Sequence, residues 1–533
     1  MKGSRFRALA ARARNCLVVW LFLETAASAE EPPRIGAITV ETREVFSGEE
    51  ASRGWLYGVA DALHTTTRES VVRRFLLFAE GDPFDPVLLE ESERNLRLLG
   101  FIKSASVTAG WAHDGVVDII VVTQDALTLQ IGVSGGSIGG RLLGGLKLGE
   151  HNLFGTGREL TVGFGKEMQR SFRSIELRDP SLFAAYGVGH LLYASNSDGA
   201  DRVLEYQRPF YSVRTPWAVE LDLRDISQRD AIYSGGQASS LYRHQWTQLT
   251  GRYAVAVRRA SRDALRIGVG LDWRDDRFVS LPGGSSEVRP SDRKFHYVFL
   301  EGEAVHNDFV KLDYVNRDLR VEDFSLGRRV AVRLGVSPAA LGAPRTTEMA
   351  RLQWDEGFRV GRGSILLVTA SGETRLDGGQ AGNAVLDARL LFVHRFETAV
   401  TQTLVSRLAF TRGWNLDGDT QFFADGTAGL RAYRLYAFEG DRRILWNVEH
   451  RIFSGQEMFQ LVSPGAAVFV DAAAIAPRGG SFRIKADAGI GLRFAITRAA
   501  SVPILRVDLG YALQPDPRGR RGWLLSFSGG QAF

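Results

Sequence analysis

Segment 482–496 constrains this chain most. Phe482, Ile484, Ala486, Ala488, Ile490, Leu492, Phe494 and Ile496 form one row, and Arg483, Lys485, Asp487, Gly489, Gly491 and Arg493 fall between them. A strand has period two, so the two rows face opposite sides of a sheet. Strands of soluble proteins run to roughly 5–6 residues, whereas a strand crossing a bilayer needs about 9–11. This segment is long enough to cross.

The pattern recurs from residue 127 to the C-terminus. Trp217, Val219, Leu221 and Leu223 alternate with Ala218, Glu220, Asp222 and Arg224. Leu265, Ile267, Val269, Leu271 and Trp273 alternate with Arg266, Gly268, Gly270 and Asp272. Ile444, Trp446, Val448, His450 and Ile452 alternate with Leu445, Asn447, Glu449 and Arg451. Soluble antiparallel sandwiches also alternate. Strand length and a polar row carrying both charge signs distinguish a barrel with an apolar lipid-facing wall and a wet lumen. Five strands follow Arg442 and up to fifteen precede it, some readable as halves of longer bent strands. Even totals from 16 to 20 fit, with 16 favoured. Stretches 276–293, 371–382 and 414–438 read as outer loops, and 497–501 as a periplasmic turn.

The N-terminus reads as a secretory signal. Lys2, Arg5, Arg7, Arg12 and Arg14 precede the apolar run 16–23, and Ala27-Ser28-Ala29 is a small-residue cleavage site. A mature chain from Glu30 keeps 61 basic and 60 acidic residues, so its near-neutral balance does not argue for nucleic acid. The single cysteine, Cys16, lies inside the signal, so the mature chain forms no disulfide.

Residues 30–125 form a separate small α+β unit. The strand near Ile35 is followed by a helix capped by Thr67 that carries Val71, Val72, Phe75 and Leu76. Gly81-Asp82-Pro83 ends that helix, and Asp85-Pro86 starts a second with Leu88, Leu89, Leu96 and Leu99. Two strands, 102–109 and 116–123, join at Asp114-Gly115, giving the order β-α-α-β-β. Within 47–66, Trp55, Leu56, Val59 and Leu63 have helical spacing and predict an extra helix covering the small core.

These residues carry a family resemblance. The unit 30–125 resembles a POTRA domain through Gly81-Asp82-Pro83-Phe84 and Leu96-Arg97-Leu98-Leu99-Gly100-Phe101. POTRA domains are the periplasmic modules of the outer-membrane assembly-factor and two-partner-secretion superfamily, the BamA/TamA-type proteins with bacterial surface antigen barrels. The stretch 150–157, Glu-His-Asn-Leu-Phe-Gly-Thr-Gly, is similar to the family's early hairpin. Leu430-Arg431-Ala432-Tyr433 resembles its inward-folded loop motif, with Ala432 where the family usually has glycine. Phe438-Glu439-Gly440-Asp441, Asn447-Val448-Glu449 and Phe469-Val470-Asp471 follow in family order, and Gly530-Gln531-Ala532-Phe533 is a common family ending.

The resemblance implies one POTRA domain in the periplasm (30–125), after the signal 1–29, and an antiparallel all-β barrel (126–533) in the outer membrane of a Gram-negative-type bacterium. It implies a lock in which Arg431 reaches into the lumen and pairs with Asp471, with Glu449 a second acceptor. It also implies a seam and C-terminal signal at Gly529, Gly530 and Phe533. The expected partners are outer-membrane lipid, unfolded client polypeptides, and accessory proteins at the POTRA domain; no cofactor, metal or enzymatic step is expected. The expected activity is insertion of barrel proteins or translocation of polypeptides. A dedicated two-partner secretion channel and a receptor or pore barrel remain alternatives.

Three patterns are decoys. Gly132-Val133-Ser134-Gly135-Gly136 fits a serine-hydrolase elbow, but no helix pattern follows it. Asn415-Leu416-Asp417-Gly418-Asp419 opens like a calcium loop but has Gly426 where a bidentate glutamate is required. The nine histidines show no zinc spacing.

Overall fold

A computed structural model describes residues 32–46, 50, 64–138, 141–167, 170–281, 289–500 and 504–533. The expected signal, with Cys16, and the expected helix through Trp55, Leu56, Val59 and Leu63 lie outside these residues.

The N-terminal unit has strands β1 (Arg34–Arg43), β2 (Ile102–Ala109) and β3 (Val116–Asp125), with helices α1 (Glu69–Arg74) and α2 (Pro86–Leu98). The sheet order is β1-β3-β2, with β1 parallel and β2 antiparallel to β3. Val72, Phe75, Leu96, Phe101, Ile119 and Val121 fill the core between helices and sheet. Asp85 caps α2 by accepting from the Val87 N–H at 2.9 Å, with Pro86 in the first turn where no amide donor is needed. Thr67 does not cap α1. Its hydroxyl accepts from the Asn152 side chain at 2.9 Å and its N–H donates to Asp125 at 2.7 Å. Tertiary partners therefore outcompete the local cap.

The rest of the chain closes into an antiparallel barrel of twenty strands among the described residues. This is the top of the expected range, above the favoured 16. Segments readable as halves of bent strands are separate strands joined by tight turns. The stretch 371–382, expected as a loop, shows why. Gly378 and Gly379 both take positive φ, which closes a two-residue hairpin between Ser364–Asp377 and Gln380–Phe396. Asp276 to Ser280 likewise belong to strand Asp263–Ser280 rather than to the loop that follows.

The two rows of Arg483–Ile496 face opposite environments. Ile484 is 71 % exposed on the outer wall, and Asp487 is fully buried inside. Ile490, Leu492, Val468, Trp446, Leu300 and Leu334 continue the outward apolar band. With no protein partner among the described residues, these side chains need hydrocarbon around them, as the wall of a membrane-spanning β-barrel does.

The small unit docks on one mouth of the barrel, and the 150–157 motif makes the joint. Asn152 donates to the Thr65 carbonyl at 3.3 Å and accepts from the Gly157 N–H at 2.7 Å. Gly155 and Gly157 have positive φ, and a Cβ on Gly157 would lie 2.7 Å from the Phe101 ring. Deeper in the joint, His64 Nε2 lies 2.9 Å from Asp125 Oδ2, and both side chains are out of solvent. Burial opposes charge on His64. The hydrogen bond and charge of Asp125, with Glu44 and Glu150, outweigh it and raise the imidazole above its ordinary value. The unfolded imidazole titrates at about 6.5. The pair's stabilisation is therefore complete below that pH and is lost as pH rises through the raised folded value. Between about pH 6 and pH 8 the melting temperature should fall more for the wild-type protein than for His64→Gln. Equal slopes in a thermal melt would remove His64 from the joint's energetics.

Candidate functional site: an arginine cluster in the barrel lumen

The loop between strands Thr401–Trp414 and Arg442–Phe453 enters the barrel from the mouth opposite the small unit. Its short strands Phe422–Ala424 and Phe438–Gly440 pair with each other. Leu430, Tyr433 and Phe438 pack on inward-facing Ala409, Leu445 and Ile475. The Tyr433 hydroxyl lies 3.1 Å from the Ala486 carbonyl and 3.0 Å from that of Gln514. These apolar and hydrogen-bonded contacts fix the loop tip against the wall.

Arg431 extends from that tip. Its Nε donates to Asp471 Oδ2 at 2.7 Å and its Nη2 to Asp471 Oδ1 at 3.0 Å, a bidentate fork. Its Nη1 donates to Glu449. The guanidinium lies 3.5 Å from the Phe469 ring centroid, stacked as planar cations prefer. Arg431 is 5 % exposed, and both acceptor carboxylates are fully buried. The lock residues are thus enclosed on all sides by protein.

Register explains how these groups converge. Asn447, Asp471 and Asp487 are direct cross-strand neighbours on three adjacent strands. Two residues further along, Glu449, Phe469 and Gly489 form the next row. A Cβ on Gly489 would lie 2.4 Å from the Phe469 ring, so this glycine gives the ring its place.

The sequence reading missed most of the surrounding cluster. Arg451 and Arg493 donate to Glu449 at 2.8 Å and 3.1 Å. Arg493 also donates to Asp508 at 2.7 Å. Asn447 donates to Asp471 at 2.8 Å, and Asp487 accepts from the Ala432 N–H at 3.1 Å. These residues lie in the polar rows of alternating strands, and register reveals which of them meet.

Ala432 is not strained. It has no positive φ; the glycine in that conformation is Gly429. A Cβ on the facing wall residue Gly510 would lie only 3.0 Å from the Ala432 Cβ. The methyl at 432 fits because residue 510 has none.

The expected seam lies between the first barrel strand, Leu129–Ile138, and the last, Trp523–Gly529. One in-register pair, Phe527 with Ser137, joins them among the described residues, whereas the first strand pairs along its whole length with Arg141–Leu153. Gly529 ends the last strand, and Gly530 turns the chain with positive φ. Phe533 then enters the lumen, where its carbonyl accepts from Arg451 at 3.2 Å and its ring centroid lies 5.1 Å from the Arg407 guanidinium.

The decoys are absorbed by the barrel. Ser134 lies in the first strand. Arg293 donates to Asp417 and Asp419 at 2.8 Å each, and Arg375 also donates to Asp417.

No family model matches the chain. Over 176 residues it is 27 % identical to outer membrane protein assembly factor BamA of Neorickettsia risticii (strain Illinois). That match covers 32 % of this chain and 23 % of the relative, so the chain spans less than a quarter of the curated relative it matches. Among solved structures, BamA from Haemophilus ducreyi lacking POTRA domains 1–3 is similar with a TM-score of 0.39 and 14 % identity, covering 92 % of this chain and 84 % of that one. CdiB from Acinetobacter baumannii is similar with a TM-score of 0.45 and 11 % identity, covering 94 % and 74 %. Over the matched third of its length the chain is thus similar in sequence to an outer-membrane assembly factor.

Proposed function

We propose that this protein handles polypeptides at the outer membrane, inserting barrel proteins or passing a polypeptide through. The small unit is then a POTRA domain facing the periplasm. The short ladder between first and last strands carries the reading, because it is a place where a client strand gains more backbone hydrogen bonds than it displaces. The match to an assembly factor supports the same reading. No covalent step is required.

The Arg431 lock holds the inward loop while the wall near the seam opens. A client strand can first add to the free edge of β2. That edge is partly capped: Glu93 accepts from the Val107 N–H at 3.2 Å, and Arg97 donates to the Ala105 carbonyl at 3.5 Å. An incoming strand replaces these side chains with backbone partners.

The seam is testable with a Ser137→Cys/Phe527→Cys pair, placed at the one in-register position among the described residues and free of competing thiols after residue 16. In proteoliposomes, oxidation of this pair should abolish client insertion and reduction should restore it. Undiminished insertion by the oxidised protein excludes the seam as the route.

A further inference from the structure

Between neighbouring strands Arg293–His306 and Arg329–Ser337 the chain inserts residues 307–328. They form a hairpin, Phe309–Asp313 with Val321–Ser325, whose strands pair with each other and with no barrel strand among the described residues. The hairpin folds into the mouth that the small unit covers.

The wall opposite it is unusual. Ile365, Val393 and Val405 are cross-strand neighbours in one row, and the same row continues to Glu449 inside the lumen. A water-filled lumen favours polar side chains there. These three are instead buried beneath Val315, Phe324 and Leu326 of the insertion. An apolar wall patch and an apolar hairpin face each remove the other from water.

The hairpin tip reaches across the mouth. Thr403 donates to the Tyr314 carbonyl at 2.7 Å and Arg451 to the Val315 carbonyl at 2.8 Å. Arg320 is buried and donates to the carbonyls of Thr497 at 3.3 Å and Ala499 at 2.7 Å. Because Arg451 also holds Glu449, the tip is one residue removed from the Arg431 lock.

The outer side of the hairpin is held by α2. Arg97 forks onto Asp323 at 2.9 Å and 2.7 Å, with both side chains under a tenth exposed. Glu93 accepts from Lys311, and the Arg94 guanidinium lies 3.8 Å from the Phe309 ring centroid. Glu93 and Arg97 are also the residues that cap the β2 edge.

We propose that hairpin 307–328 is a displaceable plug closing this mouth, and that α2 is its latch. Movement of the small unit relative to the barrel withdraws Glu93 and Arg97 and frees the plug to leave the lumen. The device does not depend on what the barrel transports.

The test uses the full chain in proteoliposomes with a Val405→Cys reporter under the plug, the remaining cysteine being Cys16. A water-soluble maleimide should label this reporter slowly. Adding Lys311→Ala and Asp323→Ala should speed labelling about tenfold, the shift expected when a fork of charge-assisted hydrogen bonds is lost. Replacing residues 309–325 by a short Gly-Ser turn should give the fastest rate; if that variant does not fold, the urea-unfolded chain supplies the upper limit. A parent reporter labelled at that upper limit overturns the plug. A latch variant labelled at the parent's rate overturns the latch. No client is present, so either result stands apart from polypeptide handling.

Discussion

Arg431→Ala should cost about 3–5 kcal/mol of barrel stability and free the inward loop, because it strips the fork from Asp471 while leaving that carboxylate buried. Glu449 keeps Arg451 and Arg493, so the loss concentrates on Asp471, left with the Asn447 side chain at 2.8 Å and the long 3.5 Å contact from the backbone N–H of residue 431. Hydrogen exchange across 415–437 should rise, and the temperature at which the folded gel band disappears should fall. Arg431→Lys should lie between wild type and alanine, since an ammonium keeps the charge but not the fork or the stack on Phe469. Swapping the charges at 431 and 471 should rescue only in part. A carboxylate at 431 would face Glu449, with Asp508 also nearby. Full rescue would mean that the Arg431–Asp471 pair acts alone and that the cluster is incidental.

The second large effect is at the joint. Gly157→Val combines a β-branched residue at positive φ with a Cβ placed against the Phe101 ring. Backbone strain and overpacking together predict about 2–4 kcal/mol against docking. The barrel core does not depend on this turn, so its heat-shifted gel band should persist while protease sites near residues 64–68 and 125–128 become accessible. Unchanged protection would show that the small unit is held elsewhere, for example by α2.

How much of this was legible in the sequence depended on whether the information was local. The rows through Ile484 and Asp487 follow from period two, and so did the two sides of the wall. The Asp85-Pro86 start of α2 and the Asp114-Gly115 hairpin follow from backbone chemistry. Arg431 and Asp471 were found by motif resemblance. What lies around them was not, because Arg451, Arg493 and Asp508 are ordinary polar-row residues until register brings three strands together. Strand count suffered similarly at Gly378-Gly379, where a glycine pair in a polar stretch reads equally as a loop or as a tight hairpin. The plug was invisible for a different reason. Short alternating segments such as Phe309–Asp313 look like wall strands, and only their failure to pair with the wall sets them apart. The resemblance places Phe533 with the seam and C-terminal signal, whereas the positive φ of Gly530 lets it turn into the lumen.

The central claim, that this polypeptide encloses a wet lumen within lipid, is tested most directly by a nitroxide scan along Arg483–Ile496 in reconstituted vesicles. Spin labels at Ile484, Ile490 and Leu492 should collide with oxygen dissolved in the bilayer, labels at Asp487 and Arg493 should not, and accessibility should alternate with period two. A scan without alternation, or one in which the apolar row meets water-soluble relaxants instead, would contradict the barrel and everything built on it.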